Sequence, residues 1–402
     1  MTTARPYRAR GSLRVRTCGL LLADACAMLP GVAAGAPALS DPGAGTLELV
    51  TPSPTEQAKL DLIDGLAFDG FGNLFGTLEI LGAGGSVVYV DKATGIVTNV
   101  LSGISHADQI ALHTSGDLFV TSEVTGAATT NRVYRVMLAY GLGNVPQAAG
   151  TTAASLTTTA AINNPEGLVV LESTDAYGNA GDLYVAEDRN PGSVLRVEPA
   201  TGTTTTLASG LLRPEGLAFG DFAGAAAPAL YAAETLNDRV LRIDASGTVS
   251  VLGDPTAVGL FMPDNLEFGP DGFLYATEDR PAPNSRIIRI TADGTHTVFA
   301  TGFGQASGLA FDPDTGDLYV SEQDLDRIWR VRFALPIPAL SPWAVALLGV
   351  ALLAAAAGTL RRRRRREGAD RIREEVEAAL SGGGEEPRRS RRRPVHVPAL
   401  SE

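Results

Sequence analysis

Apolar residues in this chain come in short runs bounded by Asp, Gly and Pro, and one such run returns along most of its length. The clearest copy reads Gly308-Leu309-Ala310-Phe311, a turn at Asp312-Pro313-Asp314-Thr315-Gly316, then Asp317-Leu318-Tyr319-Val320-Ser321-Glu322, then Arg327-Ile328-Trp329-Arg330-Val331. Another reads Asn265-Leu266-Glu267-Phe268, Pro270-Asp271-Gly272, Leu274-Tyr275-Ala276-Thr277-Glu278 and Arg286-Ile287-Ile288-Arg289-Ile290. A third carries Gly216-Leu217-Ala218-Phe219, Leu230-Tyr231-Ala232-Ala233-Glu234 and Arg239-Val240-Leu241-Arg242-Ile243. Short apolar segments with β-branched and aromatic residues, separated by such turns, predict strands rather than helices.

Six copies end a predicted strand on a glutamate: Glu79, Glu123, Glu187, Glu234, Glu278 and Glu322, at spacings of 44, 64, 47, 44 and 44 residues. A repeat of this length with four strands per unit is what a β-propeller blade needs, whereas a β-sandwich does not explain the return of one motif in register. The pattern therefore predicts an all-β, six-bladed β-propeller over residues 39–333, with blades anchored near 64, 108, 166, 215, 264 and 307. The 64-residue spacing is expected to hold a surface-loop insertion at residues 141–159, rich in Gly, Ala and Thr. The last copy stops after its third strand, near Phe333, and Thr46-Leu47-Glu48-Leu49-Val50 is expected to supply the fourth and close the ring.

The two ends depart from this pattern. Residues 1–38 read as an export signal, with Arg5, Arg8, Arg10, Arg14 and Arg16 ahead of an apolar stretch and cleavage expected after Ala38. Residues 343–360 are apolar apart from Thr359, and six arginines, 361–366, follow at once; one C-terminal transmembrane helix is expected, with the basic tail 361–402 in the cytoplasm and the propeller outside. The segment 334–342, with Ile337-Pro338-Ala339-Leu340-Ser341-Pro342 ahead of Trp343 and the apolar span, resembles the IPTL-CTERM sorting signals of Gram-negative envelope proteins. That resemblance implies an exosortase-type sorting peptidase as a partner and sorting to the outer surface as an alternative to inner-membrane anchoring with the propeller in the periplasm.

Charge narrows the functional classes. Residues 46–333 hold 35 Asp and Glu against 15 Lys and Arg, a net −20 inside a whole-chain charge of −12. So acidic a domain excludes nucleic acid as a partner, since phosphate contacts need clustered Lys and Arg. The two cysteines, Cys18 and Cys26, lie before the propeller, which excludes a disulfide framework and thiol catalysis within it. No Gly-x-Ser-x-Gly elbow, histidine-rich metal motif or phosphate-binding glycine loop occurs.

Chemistry is then left to acids on one propeller face. One set begins the inner strands: Asp64, Asp108, Glu166, Glu215 and Asp264, with Ser307 in the sixth copy. The other is the six terminal glutamates, whose sameness points to bracing, with Arg132, Arg239, Arg286 and Arg327 opening the next strand as partners. Carboxylates converging on a channel mouth suit Ca2+ or another divalent cation. The segments Pro165-Glu166-Gly167, Pro214-Glu215-Gly216 and Pro263-Asp264-Asn265, with strands such as Leu318-Tyr319-Val320, resemble the six-bladed NHL and gluconolactonase-like (senescence marker protein) propellers. The lactonases of that family hold a divalent metal at the channel mouth, and the resemblance implies Glu166, Glu215, Asp264, Asn265, Asp108 and Asp64 as the matching ligands. Strands such as Leu274-Tyr275-Ala276-Thr277-Glu278 are also similar to the streptogramin lyase propellers, which would need a histidine base, and only His106 falls on the favoured face. The expectation from sequence is an exported, membrane-anchored or sorted propeller that binds a small ligand or envelope partner. The alternative is a metal-dependent lactonase or esterase-like hydrolase of the gluconolactonase type.

Overall fold

The computed structural model describes residues 36–123, 132–222, 228–253 and 259–334. The expected export segment before residue 36, the sorting motif after 334, the apolar span 343–360 and the basic tail lie outside these residues. Among the described residues no helix is long and apolar enough to cross a membrane.

The repeat folds into six antiparallel sheets, four ordered as the sequence runs and two joined by strands from the N-terminal segment, and together they form a six-bladed β-propeller. The inner strands are Ile63–Phe68, Ala107–Leu112, Pro165–Val170, Pro214–Gly220, Pro263–Phe268 and Ala306–Phe311. Each touches the next around a ring, and the sixth touches the first. Gly45–Leu49 pairs antiparallel with Arg327–Phe333, so the N-terminal segment supplies the outer strand of the sixth blade as expected. Ala38–Leu39 adds a short fifth strand to the fifth blade through Thr301 and Ala300, and the expected cleavage point falls inside this pair.

The expected insertion needs correction. Residues 141–159 are not a loop: Pro146–Ser155 is the outer strand of the second blade, paired with a long third strand, Arg132–Tyr140. The Gly, Ala and Thr content that read as loop belongs to an exposed edge strand whose outer face has nothing apolar to cover. Extra length also lies between the inner and second strands of the third blade, Pro165–Val170 and Leu183–Glu187.

Two devices join the blades. Tyrosines of the second strands meet phenylalanines of the next inner strand edge-on: Tyr231 with Phe268, Tyr275 with Phe311 and Tyr319 with Phe68, at centroid distances of 5.4, 5.3 and 5.3 Å. Two residues after Tyr275 and Tyr319, and at the matching place in the first and second blades, a hydroxyl is buried in the second strand. Thr121, Thr277 and Ser321 each accept an N–H from their own inner strand and donate to a carbonyl of the next blade, of Glu166, Ser307 and Asp64 respectively. Thr77 donates in the same way to the carbonyl of Asp108. In the second, fifth and sixth blades the hydroxyl serves an N–H that a register shift near the start of the inner strand takes out of the ladder; the third and fourth blades carry the same shift with Ala186 and Ala233 at this place.

Candidate functional site

The start of each inner strand is built the same way. The preceding residue, Leu62, His106, Asn164, Arg213, Met262 or Gln305, has φ between 39° and 55°, and its carbonyl accepts the N–H that follows the second strand. A left-handed residue turns the chain sharply into the channel, and the next residues, Asp64, Asp108, Glu166, Glu215, Asp264 and Ser307, arrive as a ring with 5% exposure or less. Glycine follows the acid in three blades, and follows Ser307 in the sixth, because the neighbouring backbone passes close by. A Cβ on Gly167 would stand 1.9 Å from the carbonyl oxygen of Glu215, and one on Gly216 2.3 Å from that of Asp264.

The six terminal glutamates are not one set. Pro165, Pro214, Pro263 and Ala306 pair with Glu187, Glu234, Glu278 and Glu322, but Ile63 and Ala107 pair with Leu78 and Ser122. Glu79 and Glu123 therefore stand one residue further on, where the other blades have Asp188, Thr235, Asp279 and Gln323. One step along a strand reverses the face, so the two groups have different duties.

The four aligned glutamates brace, as expected. Their carboxylates accept the backbone N–H of Asn163, Leu212, Phe261 and Gly304, each two residues before its own blade's inner strand, at 2.6–2.9 Å. Arg239 and Arg286 close on Glu234 and Glu278 at 2.5 Å, and Arg327 lies 3.9 Å from Glu322. The third blade uses Arg189 on Glu187, at 2.8 Å. Burial pushes the Glu322 carboxyl up, against the pull of the Trp329 indole and the Gly304 N–H.

Glu79 and Glu123 belong instead to the channel mouth. Three groups of carboxylates have ligand atoms within 4.8 Å of one another: Glu79, Asp108 and Glu123; Glu123, Glu166 and Asp188; and Glu166, Glu215 and Asp264. Shared members make these a continuous arc across blades one to five. Arg213, 6% exposed, lies within it, donating to both oxygens of Asp188 at 2.6 Å and approaching Glu215 at 2.9 Å. Burial alone would lower its pKa, but the Asp188 hydrogen bonds and the Glu215, Asp188 and Glu166 charges outweigh it, and the guanidinium stays charged. His106 sits at the rim, its Nδ1 3.6 Å from Glu79, whose hydrogen bond holds the imidazole above its ordinary pKa despite partial burial.

The six residues matched by resemblance thus divide. Glu166, Glu215 and Asp264 come together; Asp108 joins Glu79 and Glu123. Asp64 accepts from Gln323 at 2.9 Å and from Gln109 at 3.4 Å, and Asn265 donates to Gln109 at 2.7 Å. Asp64, Gln109 and Asn265 form a bridge from the first blade through the second to the fifth, in which Asn265 uses its Nδ2 donor. Sequence reading missed Glu79, Glu123, Asp188, Arg213 and Gln109. The sharpest unread signal was Arg213 directly before Pro214-Glu215, a buried cation beside a predicted ring of acids.

The Glu166, Glu215 and Asp264 set fits a divalent cation. All three are 3% exposed or less, all offer hard oxygen ligands, and the single buried Arg213 offsets only part of their charge.

No protein-family model matches the chain, and no curated protein matches it. Solved structures do. A gluconolactonase from Xanthomonas campestris superposes with TM-score 0.53 at 14% identity, covering 74% of this chain and 95% of that one. A luciferin-regenerating enzyme gives 0.50 at 15%, covering 73% and 96%. An auxiliary nutrient binding protein from Bacteroides ovatus gives 0.50 at 15%, covering 68% and 70%. At such identities the likeness establishes the propeller fold, and the neighbours include propellers of gluconolactonase type.

Proposed function

We propose that this propeller is a divalent-metal-dependent hydrolase acting on lactones or related esters. The observation that carries the reading is the convergence of Glu166, Glu215 and Asp264, buried at the channel mouth with ligand atoms within 4.8 Å of one another. Similarity to gluconolactonase-type propellers supports it at the level of fold.

Glu166, Glu215 and Asp264 would hold the cation, Ca2+ first by the hardness and number of the oxygens. A divalent cation held by these three carboxylates would supply Lewis-acid polarisation of an ester carbonyl and a more acidic water. Arg213, clamped by Asp188, keeps the Glu215 carboxylate turned into the mouth and lowers the repulsion within the arc. Glu123 lies beside Glu166 in the adjoining group and is placed to accept the proton that an attacking water gives up. The Gln109–Asn265 bridge forms the floor against which a small cyclic substrate would rest.

The test is thermal melting and hydrolysis of a panel of γ- and δ-lactones by the full-length chain, with Ca2+, with Zn2+ and with chelator. A cation at 100 times its dissociation constant should stabilise by about 2.7 kcal/mol. The paired change Glu166→Gln and Asp264→Asn should remove both that stabilisation and turnover. No metal-linked shift and no turnover would sink the hydrolase; a shift without turnover would leave a propeller that binds a ligand or partner. The charge order at the N-terminus and the apolar span with its arginines support a companion proposal, that the propeller faces outside the inner membrane. Protease added to spheroplasts should then digest it, and protection would reject export.

A further inference from the structure

The opposite end of the channel is built differently. Beyond the Gln109–Asn265 bridge lies a cavity of about 400 Å³, lined by the far halves of the inner strands and by turn residues such as Pro313 and Asp314. Leucine and isoleucine from every blade contribute to its walls, among them Leu66, Ile110, Leu217 and Leu309.

One position breaks the repeat here. Ala67, Ala111, Val169, Ala218 and Ala310 occupy matching places, opposite Phe75, Phe119, Tyr184, Tyr231 and Tyr319 of the second strands. In the fifth blade the residue opposite Tyr275 is Glu267. A carboxylate among small apolar side chains has no packing reason, and among the described residues no hydrogen bond or salt bridge reaches it. Every other ionisable residue lining the cavity is also an acid: Asp69, Glu172 and Asp314. Asp69 is occupied by Asn73 and by the Tyr140 hydroxyl at 3.0 Å, and the nearby Lys92 is held by Asp312 at 2.6 Å. Glu267 and Glu172 also border a smaller neighbouring hollow whose one further ionisable group is Asp221.

We propose that this cavity is a second ligand site, which takes a small organic cation, its ammonium meeting the Glu267 carboxylate and its body lying against the mixed polar and apolar walls of the inner strands. The volume exceeds what a few waters need and suits a molecule of amine size. Shape and charge select together: the cavity is lined by acids with no basic side chain among them, and an unpaired Glu267 carboxylate favours a cation that satisfies it. Burial first, and the Glu172 charge second, push the Glu267 carboxyl up to about 8. At neutral pH the incoming cation therefore displaces a proton, so affinity follows the ionised fraction of Glu267. This site is separate from the channel-mouth carboxylates and does not depend on whether they hydrolyse anything.

The experiment is titration calorimetry of the full-length chain with benzylammonium, which stays charged across the range used, and with benzyl alcohol as its neutral counterpart, at pH 6, 7 and 8. Benzylammonium should bind about tenfold more tightly for each pH unit up to 8, and benzyl alcohol should bind far more weakly at all three. Glu267→Ala installs the residue that four other blades carry at this place; it should fold, and lose both the binding and its pH dependence. Glu267→Gln, which keeps the volume, should lose the pH dependence and most of the affinity. Glu166→Gln with Asp264→Asn should change neither. Equal binding of alcohol and ammonium, binding of neither, or undiminished binding by Glu267→Ala would overturn the proposal.

Discussion

Glu79 and Glu187 both close a strand that carries an aromatic residue, yet Glu79 comes four residues after Phe75 and faces the channel mouth, while Glu187 comes three after Tyr184 and braces a loop. The difference is a single ladder position, Ile63 against Leu78 but Pro165 against Glu187. A side chain's duty in a strand is set by parity, and here the spacing from the aromatic carried it: four residues for Glu79 and Glu123, three for the other glutamates. Glu267 carries a related lesson, since its departure from Ala was present in the aligned copies and needed only the cavity to give it meaning. Its raised pKa has a stability consequence. Between its ordinary value near 4.5 and about 8 the native state holds a proton that the unfolded chain has lost, so native stability declines as pH rises through that window and levels off above it. Glu267→Ala should therefore gain on the wild type from pH 5 to pH 8, by at most about 1.4 kcal/mol per unit, in melts at matched ionic strength. His106, raised by Glu79, makes both proteins lose stability above its ordinary value, and the difference between them cancels that part. A gap that is flat with pH would refute the upward shift of this carboxyl.

At the scale of the element, the inner strand is positioned by its neighbours as much as by its own ladder. Glu322, 0% exposed, gathers the Gly304 N–H at 2.6 Å and the Trp329 indole N–H at 2.7 Å. Glu322→Ala leaves both donors buried, and chemical denaturation should show a loss of about 3 kcal/mol. Glu79→Ala should cost far less, because its side chain is 26% exposed and serves the rim. The glycines after the ring acids act through the next blade. Gly167→Ala would drive a Cβ against the Glu215 carbonyl, so it should lower stability by about 2 kcal/mol and weaken Ca2+-linked stabilisation as well. A variant that melts early but keeps its metal response would show that the close approach serves packing alone.

The whole molecule closes by borrowing its last strand from the opposite end of the chain. Gly45–Leu49 completes the sixth blade, and Leu47 and Leu49 pack on the cluster around Tyr275, Trp329 and Phe299. Removing residues 36–50 should leave Arg327–Phe333 as an open edge, with a melting transition lower by several degrees and concentration-dependent association visible by light scattering. A monomeric product of unchanged stability would show that closure rests on the inner-strand ring instead. Blade number, ring closure and the acidic face were legible in the sequence because each rests on a period or a composition. The outer strand of the second blade was not, since Pro146–Ser155 carries little apolar signal and owes its pairing to the strand before it.

Local pattern by itself determined the strands, their number and the ring of acids opening them, because alternation, turn residues and repeat length are properties of neighbours along the chain. Only the tertiary structure decided which acids meet. Glu123, Glu166 and Asp188 come from two blades, Arg213 reaches Asp188 and Glu215 from the loop between blades three and four, and the Asp64–Gln109–Asn265 bridge separates the carboxylate arc at the mouth from the cavity beyond it. Those meetings depend on strand parity and on distances between residues far apart in sequence, which are fixed when the ring closes and not before.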